Sequence, residues 1–251
     1  MTEHASAQPG LELSGQTVVA IGGSAGIGLE TARRARSEGA GVILTGRNPD
    51  RLQAAAAELG ARQTAAFDVT DPAALGQFFA DLPETIDHIM VTGPGPYYAP
   101  LADLDRERAH RDFDGHLWLA VAVAQHATGR VRPGGTLLFM SGTGARRPGI
   151  GLSLMSAATA ALPALIANLA LELAPVRANL IAAGFVDSPL SARLLGDDLD
   201  ARRAQLRARL PIGRVVGPAD VAALAVHIMT NTALTGATYD IDGGEQLVPA
   251  G

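Results

Sequence analysis

The apolar run Thr17-Val18-Val19-Ala20 passes directly into Ile21-Gly22-Gly23-Ser24-Ala25-Gly26-Ile27-Gly28, and this junction constrains the fold more than any other stretch. A strand that turns through glycines into a helix opens a parallel β-α-β unit. The glycines have separate tasks: Gly22 permits the tight turn, Gly26 lets the backbone approach a ligand, and Gly28 lets the helix pack closely on the strand. The first N–H groups of such a helix lack intrahelical acceptors and carry the positive end of its dipole, so the turn suits a pyrophosphate. An ordinary strand-to-helix turn is the alternative on these residues alone. The context strengthens the ligand reading, because an amphipathic helix and a second apolar strand with a polar end follow.

That second strand is read at Gly41-Val42-Ile43-Leu44-Thr45, an unbroken apolar run of the kind buried on both faces of a parallel sheet. It ends in Gly46-Arg47-Asn48. An acidic residue there would accept bonds from adenosine ribose hydroxyls, whereas a small Gly followed by Arg leaves room and positive charge for a 2′-phosphate. The sequence therefore favours NADP(H) over NAD(H), the alternative being that Arg47 is a solvated residue approaching the next helix.

The remaining elements alternate. Strands are expected at residues 16–22, 64–67, 86–92, 135–141, 177–182 and 237–241. Helices are expected at 26–38, 49–59, from about Asp71-Pro72, at 103–130, at 152–174 with Pro163 inside it, and at 218–230. Residues 191–211 read as a mobile, charged segment. Asp68, at the end of the third strand, could bond an adenine amino group or cap the helix that follows it. This alternation predicts an α/β fold: a single Rossmann-like, doubly wound parallel sheet of about seven strands flanked by helices. Residues 1–13 are expected to be a disordered tail and 14–251 one nucleotide-binding domain.

Composition excludes several function classes. Cysteine is absent, so there are no disulfides, and the six scattered His offer no zinc cluster; no metal is expected. A net charge of −5 without a basic block argues against nucleic acid. No secretory signal or membrane span stands out, which makes the cytoplasm the expected location. All 20 basic residues are Arg; there is no Lys.

The chain resembles the short-chain dehydrogenase/reductase family over almost its whole length. The matching residues are Gly22/Gly26/Gly28, Asp68-Val69, Leu171-Glu172-Leu173-Ala174-Pro175-Val176-Arg177-Ala178-Asn179, Gly184-Phe185-Val186-Asp187-Ser188-Pro189 and Asp242-Gly243-Gly244. The resemblance implies a nicotinamide cofactor, hydride transfer, and homo-oligomers built from the two long helices and the last strand. For the cofactor it implies contacts from Gly22, Ser24, Gly26, Ile27, Gly28, Arg47, Asn48, Asp68, Val69, Thr92, Gly93, Gly184, Val186 and Ser188.

Catalysis in the family uses a Tyr, a Lys four residues later, a Ser roughly thirteen residues before the Tyr, and an Asn on the preceding long helix. Hydride delivery to a carbonyl builds charge on oxygen, which a hydroxyl of lowered pKa neutralises. Here the equivalent positions read Met155, Thr159, Gly142 and His116, and all four depart from the pattern. With no Lys in the chain, no ammonium can substitute. The remaining candidates are His116, Tyr97, Tyr98 and Ser141, with Thr143 able to orient a substrate oxygen; alternatively His116 is a helix residue and the tyrosines form a pocket wall.

Three functions follow. The first is an NADP(H)-dependent oxidoreductase with a non-standard site, acting on a small or medium apolar carbonyl, imine or alkene. The others are a redox-neutral enzyme on the same fold and a cofactor-binding pseudoenzyme. The substrate pocket is expected from Tyr97, Tyr98, Thr143, Leu152, Met155, Phe185 and the segment after Pro189, with Arg146 and Arg147 able to reach a carboxylate or lying solvated at the surface.

Overall fold

The computed structural model describes residues 12–248. Seven strands form one sheet in the order β3-β2-β1-β4-β5-β6-β7: β1 Thr17–Ile21, β2 Gly41–Gly46, β3 Gln63–Ala66, β4 Ile86–Val91, β5 Val131–Gly142, β6 Arg177–Ala183 and β7 Thr238–Ile241. Every pairing is parallel. Every residue of β1, β2, β4 and β6 is buried. Successive side chains of such strands must enter apolar layers on opposite faces, and β1 shows this directly. Val18 and Ala20 pack with Ala32 and Ala35 of α1 (Gly26–Ser37), Leu52 of α2 (Pro49–Leu59) and Val221 and Ala225 of α9 (Pro218–Thr230). Val19 and Ile21 join the opposite layer, with Phe79 of α3 (Pro72–Ala80), Val123 of α5 (Leu119–Ala127) and Ile166 of α6 (Ser153–Glu172).

The strand order reverses between β1 and β4, so the C-terminal ends of these two strands part to leave a crevice; this is where open α/β sheets bind ligands. The far edge is held by Arg177, which is buried and donates to the carbonyl oxygens of Gly134, Ile228, Met229, Asn231 and Leu234. It thereby satisfies the C-terminal carbonyls that α9 cannot pair internally.

Four features differ from expectation. The helix expected at 103–130 is three pieces: α4 (Arg106–Phe113), a π-helical turn at Asp114–Trp118, and α5. Residues 191–211 are helical rather than loose. They contain α7 (Pro189–Leu195), capped by reciprocal bonds between Ser188 and Ser191, and α8 (Leu199–Arg209), whose Leu206 is buried and whose Arg203 is bidentate to Asp187 at 2.7 and 2.9 Å. Leu13, placed in the tail, is fully buried and its N–H donates to the Glu38 carbonyl; residues 1–11 of that tail lie outside the described residues. Among the described residues α6 is long and apolar enough to cross a membrane, yet it packs Met155, Ala158, Leu162 and Ile166 into the protein.

Candidate functional site

The glycine turn forms the floor of the crevice. Gly22 adopts φ 84°, and a Cβ there would overlap Thr92 Oγ1; a Cβ on Gly28 would overlap the Gly22 carbonyl. Gly26 differs: its φ is 56°, and the nearest atoms to an added Cβ are Pro189 Cδ at 3.8 Å and Ser188 Cβ at 3.9 Å. The first two glycines are therefore required by packing, whereas at Gly26 a Cβ would meet only ordinary van der Waals neighbours and it is the positive φ that favours glycine. Ala25, the N-cap of α1, supplies no side-chain bond, so the leading N–H groups of the helix are left for a ligand. This donor set fits a pyrophosphate-bearing nucleotide.

Ser24, Arg47, Arg51 and Asp68 line the cleft beside the end of β2. Ser24 is buried against the end of β2, its Oγ 2.5 Å from where a Gly46 Cβ would stand, so the small residue at 46 is a steric requirement. Asn48 lies off the cleft wall: its Oδ1 accepts the Arg51 N–H at 2.8 Å and caps α2. Asp68 accepts the Thr70 N–H and hydroxyl at 3.0 and 2.8 Å; the backbone bond above all, with the Thr70 hydroxyl and the Arg47 charge, holds its carboxyl below the usual range against the opposing effect of burial. The capping alternative for Asp68 is overturned, because α3 is capped by Asp71, which accepts from Ala73 and Ala74. Gly22, Gly26, Ile27, Gly28, Val69, Thr92, Gly93 and Ser188 line the same cleft.

A second cavity of about 320 Å³ continues from it, and Gly184 and Val186 are part of its wall. Its apolar side is built from Met140, Leu152, Met155, Phe185, Leu190 and Leu194. Polar groups enter from His116, Tyr98, Ser141, Ser156 and Thr159. Met155 and Thr159 sit one turn apart on α6 and both are buried; Gly142, at the end of β5, opens to the same space.

His116 lies on the π-helical turn. Its Nδ1 is 2.7 Å from the Asp112 carbonyl oxygen. A carbonyl can only accept, so Nδ1 carries the proton and Nε2 is the ring nitrogen left for other partners. The Asp112 carboxylate stands 3.8 Å from the same Nδ1, in a pair whose side chains are only 11% and 9% exposed. Burial raises the Asp112 carboxyl above its usual range, opposed chiefly by the positive charge His116 can carry. Tyr98 also lines the cavity, but burial first, and the Asp112 charge second, raise its phenol, which makes it a weaker proton donor. Ser141 Oγ is buried with no hydrogen-bond partner. A buried, unpaired hydroxyl at the cavity wall is a candidate partner for a substrate oxygen or nitrogen that comes within reach.

Tyr97 and Tyr98 separate. Tyr97 lies outside the cavity wall; its hydroxyl accepts the Asp105 N–H at 3.1 Å, and Arg108 lies 4.2 Å above its ring. Tyr97 thus anchors the loop to α4. Thr143, though buried, is not part of the cavity wall either. Arg146 and Arg147 are engaged as well, Arg146 with Asp240 and Arg147 with Glu245, which leaves neither free for a substrate carboxylate. Two residues not anticipated for the nucleotide cleft, Arg51 and Arg193, line it. Among the described residues no group of three or more acidic or His side chains could hold a metal.

Residues 22–246 match the family model described as enoyl-(acyl carrier protein) reductase. The chain is 31% identical over 261 residues to a sorbitol dehydrogenase of Cereibacter sphaeroides, covering 93% of this chain and 98% of the relative. Among solved structures it resembles the MalC reductase/Diels-Alderase of Malbranchea aurantiaca, with a TM-score of 0.83 and 26% identity over 94% of this chain and 98% of that one. It is also similar to a small-chain dehydrogenase in complex with NADPH, with a TM-score of 0.79 and 28% identity over 92% and 99% of the two chains.

Proposed function

The chain belongs to the short-chain dehydrogenase/reductase family of oxidoreductases, and from that premise we propose that it is an NADP(H)-dependent reductase of a small or medium apolar carbonyl, imine or alkene, working with His116 where relatives use a tyrosine. The observation that carries this reading is the continuity of the two spaces: Ile27, Thr92, Gly93, Pro94, Ser188 and Leu190 line both the nucleotide cleft and the apolar cavity. Ser24, Arg47 and Arg51 supply the hydroxyl and positive charge that a 2′-phosphate needs, and no acidic side chain stands at Gly46 to oppose it.

Reduced nicotinamide, when bound, supplies a hydride to the substrate. The residues of this chain then do the rest. Met155, Leu152 and Phe185 hold an apolar substrate and exclude water. Ser141 Oγ orients its polar atom, and His116, its Nδ1–H held by the Asp112 carbonyl, donates a proton from Nε2 in its imidazolium form and is left as the neutral ring. Substrates such as an imine or activated alkene ask less of the acid, in keeping with a site that has neither the tyrosine nor the lysine. The test is a screen of NADPH oxidation against apolar ketones, cyclic imines and activated alkenes, with His116→Asn alongside. Turnover that falls in the variant while nucleotide binding holds supports the assignment; equal turnover removes His116 from it.

A redox-neutral reaction in the same cavity is the second reading. It is favoured by the absence of a Tyr-Lys pair and by the name reductase/Diels-Alderase carried by one structural neighbour; it predicts product without NADPH consumption. The proposal also includes a cytoplasmic homo-oligomer, supported by exposed Trp118 and Leu171 on the long helical elements that the family resemblance assigns to subunit contact.

A further inference from the structure

Most arginines of this chain are spoken for by carboxylates, carbonyls or rings. Three that face the nucleotide cleft are exceptions: among the described residues Arg47, Arg51 and Arg193 have no side-chain hydrogen bond or ion pair. They come from different elements, Arg47 after β2, Arg51 in α2 and Arg193 in α7. Three cations without a hydrogen-bonded or ion-paired partner line one cleft against the single carboxylate of Asp68, an excess of positive charge that calls for an anion, and the elements they sit on divide the work.

Arg47 and Arg51 stand beside the end of β2. Arg193 reaches the cleft from its other wall. The start of α7 lies directly over the glycine turn, with Pro189 Cδ 3.8 Å and Ser188 Cβ 3.9 Å from the position of a Gly26 Cβ. Arg193 follows Pro189 by one helical turn on the same face. Leu190, beside them, packs against Gly95 of the loop after β4, so α7 bridges the cleft from the turn to that loop. The helix is steadied behind by the bidentate Asp187–Arg203 pair.

We infer that Arg193 is a nucleotide-binding residue that closes α7 over the cofactor by pairing with its pyrophosphate. The inference rests on the proposed nucleotide reading of the cleft. It also supplies a cation on the phosphate side of a chain that has no lysine. Because the pyrophosphate is common to both nicotinamide nucleotides and the 2′-phosphate is not, the two arginine roles separate cleanly.

The experiment is calorimetric titration of NADPH and NADH into the wild type, Arg193→Gln, Arg47→Gln and Arg207→Gln, the last an exposed arginine of α8 outside the cleft that controls for net charge. Arg193 is exposed, so its replacement leaves the fold intact. The expected result is that Arg193→Gln weakens both nucleotides by the same factor, about tenfold, that Arg47→Gln weakens NADPH alone, and that Arg207→Gln changes neither. Wild-type affinity for both nucleotides in Arg193→Gln overturns the inference while leaving the nucleotide reading in place. Loss confined to NADPH would move Arg193 to the 2′-phosphate and overturn the pyrophosphate assignment. A wild type that binds neither nucleotide overturns the reading on which it rests.

Discussion

His116 Nδ1 and the carbonyl oxygen of Asp112 lie 2.7 Å apart across one turn of helix, and that bond decides how the ring can act. A histidine whose Nδ1 is committed to a carbonyl has one nitrogen left, and His116 is part of the wall of the apolar cavity that continues from the nucleotide cleft. The π-helical turn at Asp114–Trp118 is what inserts it there; such turns interrupt α-helices often at functional sites.

His116→Asn keeps a polar side chain on that turn but removes the imidazole. Turnover is expected to fall by about 10²–10⁴-fold, the usual worth of a positioned acid or base, with NADPH affinity unchanged. Steady-state kinetics beside a binding titration checks both halves.

Gly46 and Ser24 are expected to set the nucleotide preference together. A side chain at 46 would stand 2.5 Å from Ser24 Oγ and 2.8 Å from its Cβ, so Gly46→Asp alone should cost about 1–3 kcal/mol through overpacking. Pairing it with Ser24→Gly relieves the clash and places a carboxylate where a ribose hydroxyl, not a 2′-phosphate, is welcome. The double variant is expected to prefer NADH. Thermal denaturation of the single variant and titration of the double one test this; a single variant as stable as the wild type would contradict the packing argument.

His88 is expected to make the fold acid-sensitive. It is buried in β4, its Nε2 donating to Gln16 Oε1 at 2.7 Å while Nδ1 has no partner. Burial, then the Arg177 and Arg132 charges, push it down to about 3. The folded state therefore binds this proton less readily than the unfolded chain, whose histidine titrates near 6.5. The contribution is complete above about pH 6.5 and is lost as pH falls toward 3, at up to about 1.4 kcal/mol per pH unit. Urea unfolding at pH 7 and pH 5 should show a smaller acid loss in His88→Gln than in the wild type; equal losses would dismiss the role.

Arg177→Met leaves the carbonyls of Gly134, Ile228, Met229, Asn231 and Leu234 without this donor. Several buried acceptors unpaired at once should cost more than about 3 kcal/mol. Denaturant unfolding measures it, and Arg177→Lys, with fewer donors and no planar fork, should recover only part.

Much of the nucleotide half was legible in the sequence because its signals are local. A strand, a glycine turn and a helix are contiguous, and α9 occupies the residues expected for it. The legible part stopped where distant residues decide. The π-helical turn is invisible to periodicity, since apolar spacing continues normally on either side of one extra residue. The segment containing α7 and α8 looked loose because its order comes from Arg203 meeting Asp187 and from Leu206 entering the protein, not from a strong apolar stripe. Leu13 is an apolar residue set among Glu12, Ser14 and Gly15, and only the fold shows it to be buried. Neighbouring Tyr97 and Tyr98 are equivalent on paper; the Asp105 N–H takes one and the cavity takes the other. Arg193 joins Arg47 only because the sheet brings α7 back over the first turn.

The measurement closest to the central claim is calorimetric titration of the purified protein with NADPH and, separately, NADH. The arrangement of Ser24, Arg47 and Arg51 predicts that NADPH binds about tenfold or more tightly than NADH. Failure of both nucleotides to bind would contradict the account at its base, because the cavity beside His116 would then have no hydride donor.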